Sequence, residues 1–97
     1  MPAYLVTQVE VFNIEKFNGE YSKNAAPIAE QYGGKFLVEG GAPEHIEGDW
    51  HPKRMAILEF ESAEAARKFY YSPEYTEARK AREGIADFNM VLVEPVK

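Results

Sequence analysis

Cysteine is absent from the sequence, which removes disulfide staples, thiolate nucleophiles and Cys-built metal sites together. Histidine is scarce. His45 and His51 stand six apart on one Gly- and Pro-containing stretch, without the helical H-x-x-x-H spacing of a zinc site or the setting of an axial haem ligand. The expectation is no metal and no cofactor. No apolar run is long enough to span a bilayer, and nothing after Met1-Pro2 resembles the basic start and apolar core of a signal peptide. A soluble cytoplasmic protein with no membrane partner is therefore expected. Positive charge is in deficit too, the formal net charge being -5, which argues against a general attraction to phosphate backbones. G-x-S-x-G, P-loop and G-x-G-x-x-G patterns are missing. Arg54-Met55-Ala56-Ile57-Leu58-Glu59-Phe60 lacks the interleaved aromatics with which ferredoxin-like RNA readers stack bases, so no nucleic-acid partner is expected.

What is present is the material of one folded domain. The 97 residues are 45% apolar and 13% aromatic, enough for a core but with little area to spare. Tyr4 to Val11, rich in β-branched and aromatic residues, reads as a first strand. Asn13 caps a helix whose Ile14, Phe17, Tyr21, Ala25, Ile28 and Tyr32 share one face, with Phe12 and Phe17 at the spacing of a hydrophobic staple. Gly33-Gly34 ends it. Gly19 and Pro27 weaken this helix, and a kink is expected around Asn24 to Pro27, with a gap opening near Tyr21. Lys35 to Glu39 is a short second strand, residues 40 to 53 form a long loop, and Arg54 to Glu61 is the third strand. Ser62 caps another helix, which Ser72-Pro73-Glu74 interrupts and restarts. Phe88 to Glu94 is the last strand.

The order is β-α-β-β-α-β, an α+β chain of the ferredoxin-like type, with a four-stranded antiparallel sheet and helices on one face. Alternation sets Ala56, Leu58 and Phe60 against Met55 and Ile57, and Phe88, Met90 and Leu92 against Val91 and Val93. Both sheet faces are then apolar, yet there are helices for only one. A second copy packing sheet to sheet, as a homodimer, is the expected cover for the other.

The run Tyr21, Pro27 and Tyr32-Gly33-Gly34, then Glu47-Gly48-Asp49-Trp50, Pro52, Arg54 and Leu58-Glu59-Phe60, then Ala65-Ala66, Tyr70, Ser72-Pro73-Glu74-Tyr75 and Arg82 resembles the domain of unknown function 1330 family over nearly the whole chain. The resemblance implies a dimeric α+β barrel, in which two ferredoxin-like subunits pack their sheets together. That larger group includes cofactor-free monooxygenases, muconolactone isomerase and haem-handling enzymes. The ending departs from the family pattern, with Val93-Glu94-Pro95 where Val-Glu-Gly is usual.

Glu59 falls on the Met55/Ile57 side of an apolar strand, where a carboxylate is either an acid/base group or half of an ion pair. Tyr21 either offers its hydroxyl to a pocket or is plain core. Tyr75, Arg79 and Arg82 lie at i, i+4 and i+7, so a phenol and two guanidinium groups either grip an anion or are neutralised by Glu74, Glu77 and Glu83. Arg54 either orients an anion at the sheet edge or pairs with Glu47 or Asp49. Trp50 is a pocket wall or a cap over exposed core. Two functions follow. One is a small-molecule enzyme of isomerase or cofactor-free monooxygenase type, acting on a small organic acid between helices and sheet, with Glu59 and Tyr21 catalytic and Trp50, Arg54, Tyr75 and Arg82 binding. The other is a non-catalytic dimeric module for metabolite binding or assembly.

Overall fold

In β1 (Ala3–Val11) every second side chain, Ala3, Leu5, Thr7 and Val9, is buried. That period of two decides which face meets the helices. The computed structural model describes residues 1–96. Three further strands, β2 (Lys35–Gly40), β3 (Arg54–Phe60) and β4 (Ala86–Val93), complete an antiparallel sheet in the order β2-β3-β1-β4. The helices α1 (Ile14–Lys16), α2 (Lys23–Gln31), α3 (Ala63–Tyr70) and α4 (Pro73–Arg79) give the β-α-β-β-α-β succession of a ferredoxin-like fold.

Register turns the strands into rows. On the helix-covered face Phe36, Leu58, Leu5 and Leu92 lie side by side, and two residues along the strands come Ala56, Thr7 and Met90. On the other face Val38, Ile57, Val6 and Val91 make an apolar row across all four strands. Among the described residues no helix covers that second row, and Val91 is 58% exposed. A thickness of 16 Å fits one sheet and one helical layer.

Three of the four helices start where a cap was expected, and α2 follows the helical turn before it without one. Asn13 Oδ1 accepts from the Lys16 N–H at 3.1 Å, Ser62 Oγ from Ala65 at 3.1 Å and Ser72 Oγ from Tyr75 at 3.1 Å, with Pro73 opening α4. The Phe12 half of the staple is 58% exposed, so little of it packs. The helical break also differs from expectation. It is a π-turn at Phe17–Ser22, one turn before Asn24, closed by a Lys23 N–H bond to the Asn18 carbonyl, while Pro27 sits inside α2. Gly19 lies within the wide turn, and Pro27, which has no N–H to give the Lys23 carbonyl, follows in α2. The turn keeps Phe17, Tyr21 and Ala25, at steps of four, on one buried face.

Close approach fixes the far end of α2. A Cβ added at Gly34 would lie 2.8 Å from the Phe60 ring and 3.0 Å from the Ala29 carbonyl oxygen. Only glycine lets the chain turn from α2 into β2 so close to Phe60 of β3. Phe60 in turn stacks on Phe69, ring centroids 5.4 Å apart, tying α3 to the sheet.

Candidate functional site

Where the π-turn and α2 cross β1 and β3, packing leaves a cavity of about 150 Å³. Its floor is Thr7, Val9, Leu58, Phe88 and Met90, and its roof is Phe17, Tyr21, Ala25 and Ala29. A volume of this order holds a benzene-sized body. The gap expected near Tyr21 is therefore present.

The inner end is polar. The Tyr21 and Tyr75 hydroxyls share a buried hydrogen bond, and Arg82 Nη1 donates to the Tyr75 oxygen at 3.5 Å. The π-turn delivers Tyr21, and the Ser72 cap with Pro73 delivers Tyr75 one turn into α4. Arg82 lies behind the pair, its guanidinium carbon 3.7 Å from the Phe88 ring centroid and 5.5 Å from that of Tyr21. Arg82 makes no ion pair among the described residues. Burial raises the pKa of both phenols above the ordinary tyrosine value, and the Tyr75 hydroxyl raises Tyr21 further while Arg82 opposes the shift. Both are hydroxyls at neutral pH, able to donate and accept but not to serve as resting tyrosinate bases.

The mouth is charged. Arg54, half-buried at the start of β3, lines it together with Glu39 and Gly40 of β2. Gly40 has φ +81°, and a Cβ there would stand 3.0 Å from Arg54 Nη2, so the guanidinium rests on bare backbone. The Arg54 guanidinium carbon is also 6.0 Å from the centre of the Phe17 ring. Arg54 pairs with neither Glu47 nor Asp49. The arrangement can hold an anionic group at the entrance, an apolar body in the middle and a carbonyl or hydroxyl oxygen at the tyrosine pair.

A family model described as a domain of unknown function, DUF1330, matches residues 2–96. The chain belongs to the DUF1330 family. Among solved structures it is similar to a protein of unknown function from Rhodopseudomonas palustris, with 24% identity and a TM-score of 0.78, over 99% of this chain and 83% of that one. SnoaB, a cofactor-independent oxygenase from Streptomyces nogalater, shares 15% identity at a TM-score of 0.65, over 99% and 94% of the two chains. A dimeric protein of unknown function with a ferredoxin-like fold from Bacteroides fragilis shares 10% identity at a TM-score of 0.61, over 96% and 95%. These likenesses establish the fold. A search of curated proteins finds no match.

Within this DUF1330 chain, Tyr21, Tyr75 and Arg54 line one cavity, and Arg82 braces it from behind. Two expected residues stand elsewhere. Glu59 pairs in register with Tyr4 and Lys35 on the uncovered sheet face, because the alternation that buries Leu58 and Phe60 turns it away from the helices. Trp50 donates from Nε1 to Gln8 Oε1 at 3.2 Å, also on the uncovered side, and caps that surface instead of walling the cavity. Arg79 joins neither end. It lies over Tyr70 at 4.5 Å and donates to the Tyr70 hydroxyl at 2.9 Å. His45 and His51 stack on each other in the loop, 4.1 Å apart. No group of three His, Cys, Asp or Glu that could hold a metal occurs among the described residues.

Glu39 is the residue that strand periodicity misses. A register shift between Phe36 and Val38 moves Val38 beside Ile57 on the uncovered face and Glu39 beside Ala56 on the helix face. Unbroken alternation from Phe36 would have sent Glu39 the other way. The bulge thus brings a carboxylate to the cavity mouth. Thr7 is the other omission, a buried hydroxyl in the floor, 3% exposed, within an otherwise strand-like apolar run.

Proposed function

We propose that the cavity is the active site of a small-molecule enzyme acting on a small organic acid, and that the chain works as a homodimer closed over its uncovered sheet face. The observation that carries the first part is the Tyr21–Tyr75 hydroxyl pair, buried at the end of an apolar cavity with Arg82 behind it. A core needs no such pair. Two buried hydroxyls and a neighbouring cation cost desolvation that two Phe residues would avoid. Hydrogen-bond donors held away from water suit an oxygen that gains negative charge during reaction. Arg54 at the mouth supplies the selectivity for a carboxylate. SnoaB, named as a cofactor-independent oxygenase, is a precedent for chemistry on this fold without a cofactor.

A screen of ring-bearing carboxylates by thermal shift tests the site. A ligand at a hundred times its Kd stabilises by about 2.7 kcal/mol. Arg54→Ala is expected to lose most of that response. If Arg54→Ala and Arg82→Ala both respond to every ligand as the wild type does, the anion-binding role fails. The dimer rests on the apolar row Val38, Ile57, Val6 and Val91. A monomer at micromolar concentration in analytical ultracentrifugation would overturn it.

One feature favours the non-catalytic module instead: the phenols are neutral, which suits holding a ligand as well as transforming one. Turnover of any bound acid separates the two.

A further inference from the structure

The mouth of the cavity holds a carboxylate that ligand binding alone does not explain. Glu39 and Arg54 sit diagonally on neighbouring strands of the same sheet face, since Glu39 pairs with Ala56 and Arg54 lies two residues before it. Residues so placed stand roughly 7–8 Å apart, their Cβ atoms somewhat closer, near enough to share one ligand. They make no ion pair with each other. Glu39 reaches this face only through the bulge after Phe36. At the other end the Tyr21–Tyr75 pair offers an O–H, and apolar surface from Val9, Leu58 and Met90 lies between.

We infer that Glu39 is the proton acceptor of this site and that its substrate class is a small keto acid with an acidic C–H between carboxylate and ketone. The inference rests on the reading of the cavity as an active site. The substrate carboxylate meets Arg54, its six-carbon-sized body fills the cavity, and its ketone oxygen faces the tyrosine pair. The Glu39 carboxylate takes a proton from the carbon α to the ketone. The C–H electron pair becomes the new C=C bond, and the C=O π pair moves to oxygen. The enolate oxygen is held by the Tyr O–H, with Arg82 behind the phenols. The proton then returns from Glu39 to the same carbon or, where the ketone is β,γ-unsaturated, to the ketone's γ-carbon, which is an isomerisation. No oxidant, reductant or metal enters the balance. Proton abstraction beside a carbonyl requires the base to reach the α C–H while donors hold the oxygen, and with the carboxylate on Arg54 the carbon between carboxylate and ketone is the one that Glu39 meets.

The test uses 3-oxocyclohexane-1-carboxylate in D2O, with proton NMR following loss of the C2–H signals and saturation transfer reporting binding. The wild type is expected to bind the probe and to exchange C2–H faster than buffer. Glu39→Gln is expected to keep binding and lose at least about 100-fold of the enzymatic exchange rate, the low end for a general base. Glu44→Gln, a loop carboxylate outside the cavity, is expected to exchange like the wild type. Wild-type exchange in Glu39→Gln, or binding without exchange in the wild type, overturns the role of Glu39 and leaves the binding site standing. Absence of binding to the wild type overturns the site and the inference together.

Discussion

Replacing the Tyr21 and Tyr75 hydroxyls, singly and together, reports directly on how the inner end of the cavity is built. Each hydroxyl is the other's buried partner. Tyr21→Phe leaves the Tyr75 oxygen with only the long 3.5 Å contact from Arg82, so its cost is about 1 kcal/mol. Tyr75→Phe costs more, about 2 kcal/mol, because it strips the Tyr21 hydroxyl and the Arg82 guanidinium of a partner at once. In the double variant no phenol is left orphaned, and two Phe rings keep the packing with Phe69, Phe88 and Phe17. Its cost is therefore expected to fall below the sum of the singles by about 1–2 kcal/mol. For a chain of this size each kcal/mol moves Tm by about 4–8 °C. Urea denaturation at one fixed protein concentration measures all four corners of the cycle. Additivity within about 0.5 kcal/mol would show that the hydroxyls are satisfied by something other than each other, and the closed, polar end described above would be wrong.

Other perturbations reach the rest of the structure. Gly34→Ala drives a methyl group to 2.8 Å from the Phe60 ring and 3.0 Å from a backbone oxygen; it is expected to destabilise by about 1–3 kcal/mol in urea, while Gly19→Ala, with nothing within 4 Å, leaves stability unchanged or raised. Alkaline pH should unfold the protein in a particular way. Tyr21 and Tyr75 ionise later when folded than their ordinary value of 10.0, so stability is intact below pH 10.0 and falls as pH rises above it. Phenolate absorbance should then show these two tyrosines titrating only with unfolding, and Tyr21→Phe/Tyr75→Phe should flatten the decline. Ile57→Lys places a charge in the middle of the uncovered apolar row; sedimentation is expected to show monomer where the wild type shows dimer, with the circular dichroism of the fold retained.

The fold was legible because its signals are local and redundant. Period-two alternation in Leu5 and Val9 and in Leu58 and Phe60 gave the buried face, and Asn13, Ser62 and Ser72 marked the helix starts through a side-chain oxygen three residues from its target. Half of the site was legible for the same reason: Tyr21 and Arg54 follow from helix spacing and strand parity, and Tyr75 to Arg82 from i, i+7 on one helical face. The rest depended on irregularities that spacing does not announce. A single bulged residue exchanged the faces of Val38 and Glu39, so the carboxylate at the cavity is Glu39 and not Glu59. The break in the first helical segment lies upstream of Pro27, in a π-turn at Phe17–Ser22, a place that the proline itself does not mark. Trp50 was out of reach because a 13-residue loop carries no periodicity to say which side of the sheet it returns on.

The central claim is that ligand chemistry belongs to the cavity between α2 and the sheet. Methyl-resolved NMR of the wild type titrated with 3-oxocyclohexane-1-carboxylate tests it most directly. The methyl groups of Val9, Leu58 and Met90, which line the cavity, are expected to shift together and saturate, while Val91 and Val93 on the opposite sheet face stay in place. Saturable shifts confined to Val6, Ile57 and Val91, with Val9 and Leu58 unmoved, would contradict the account.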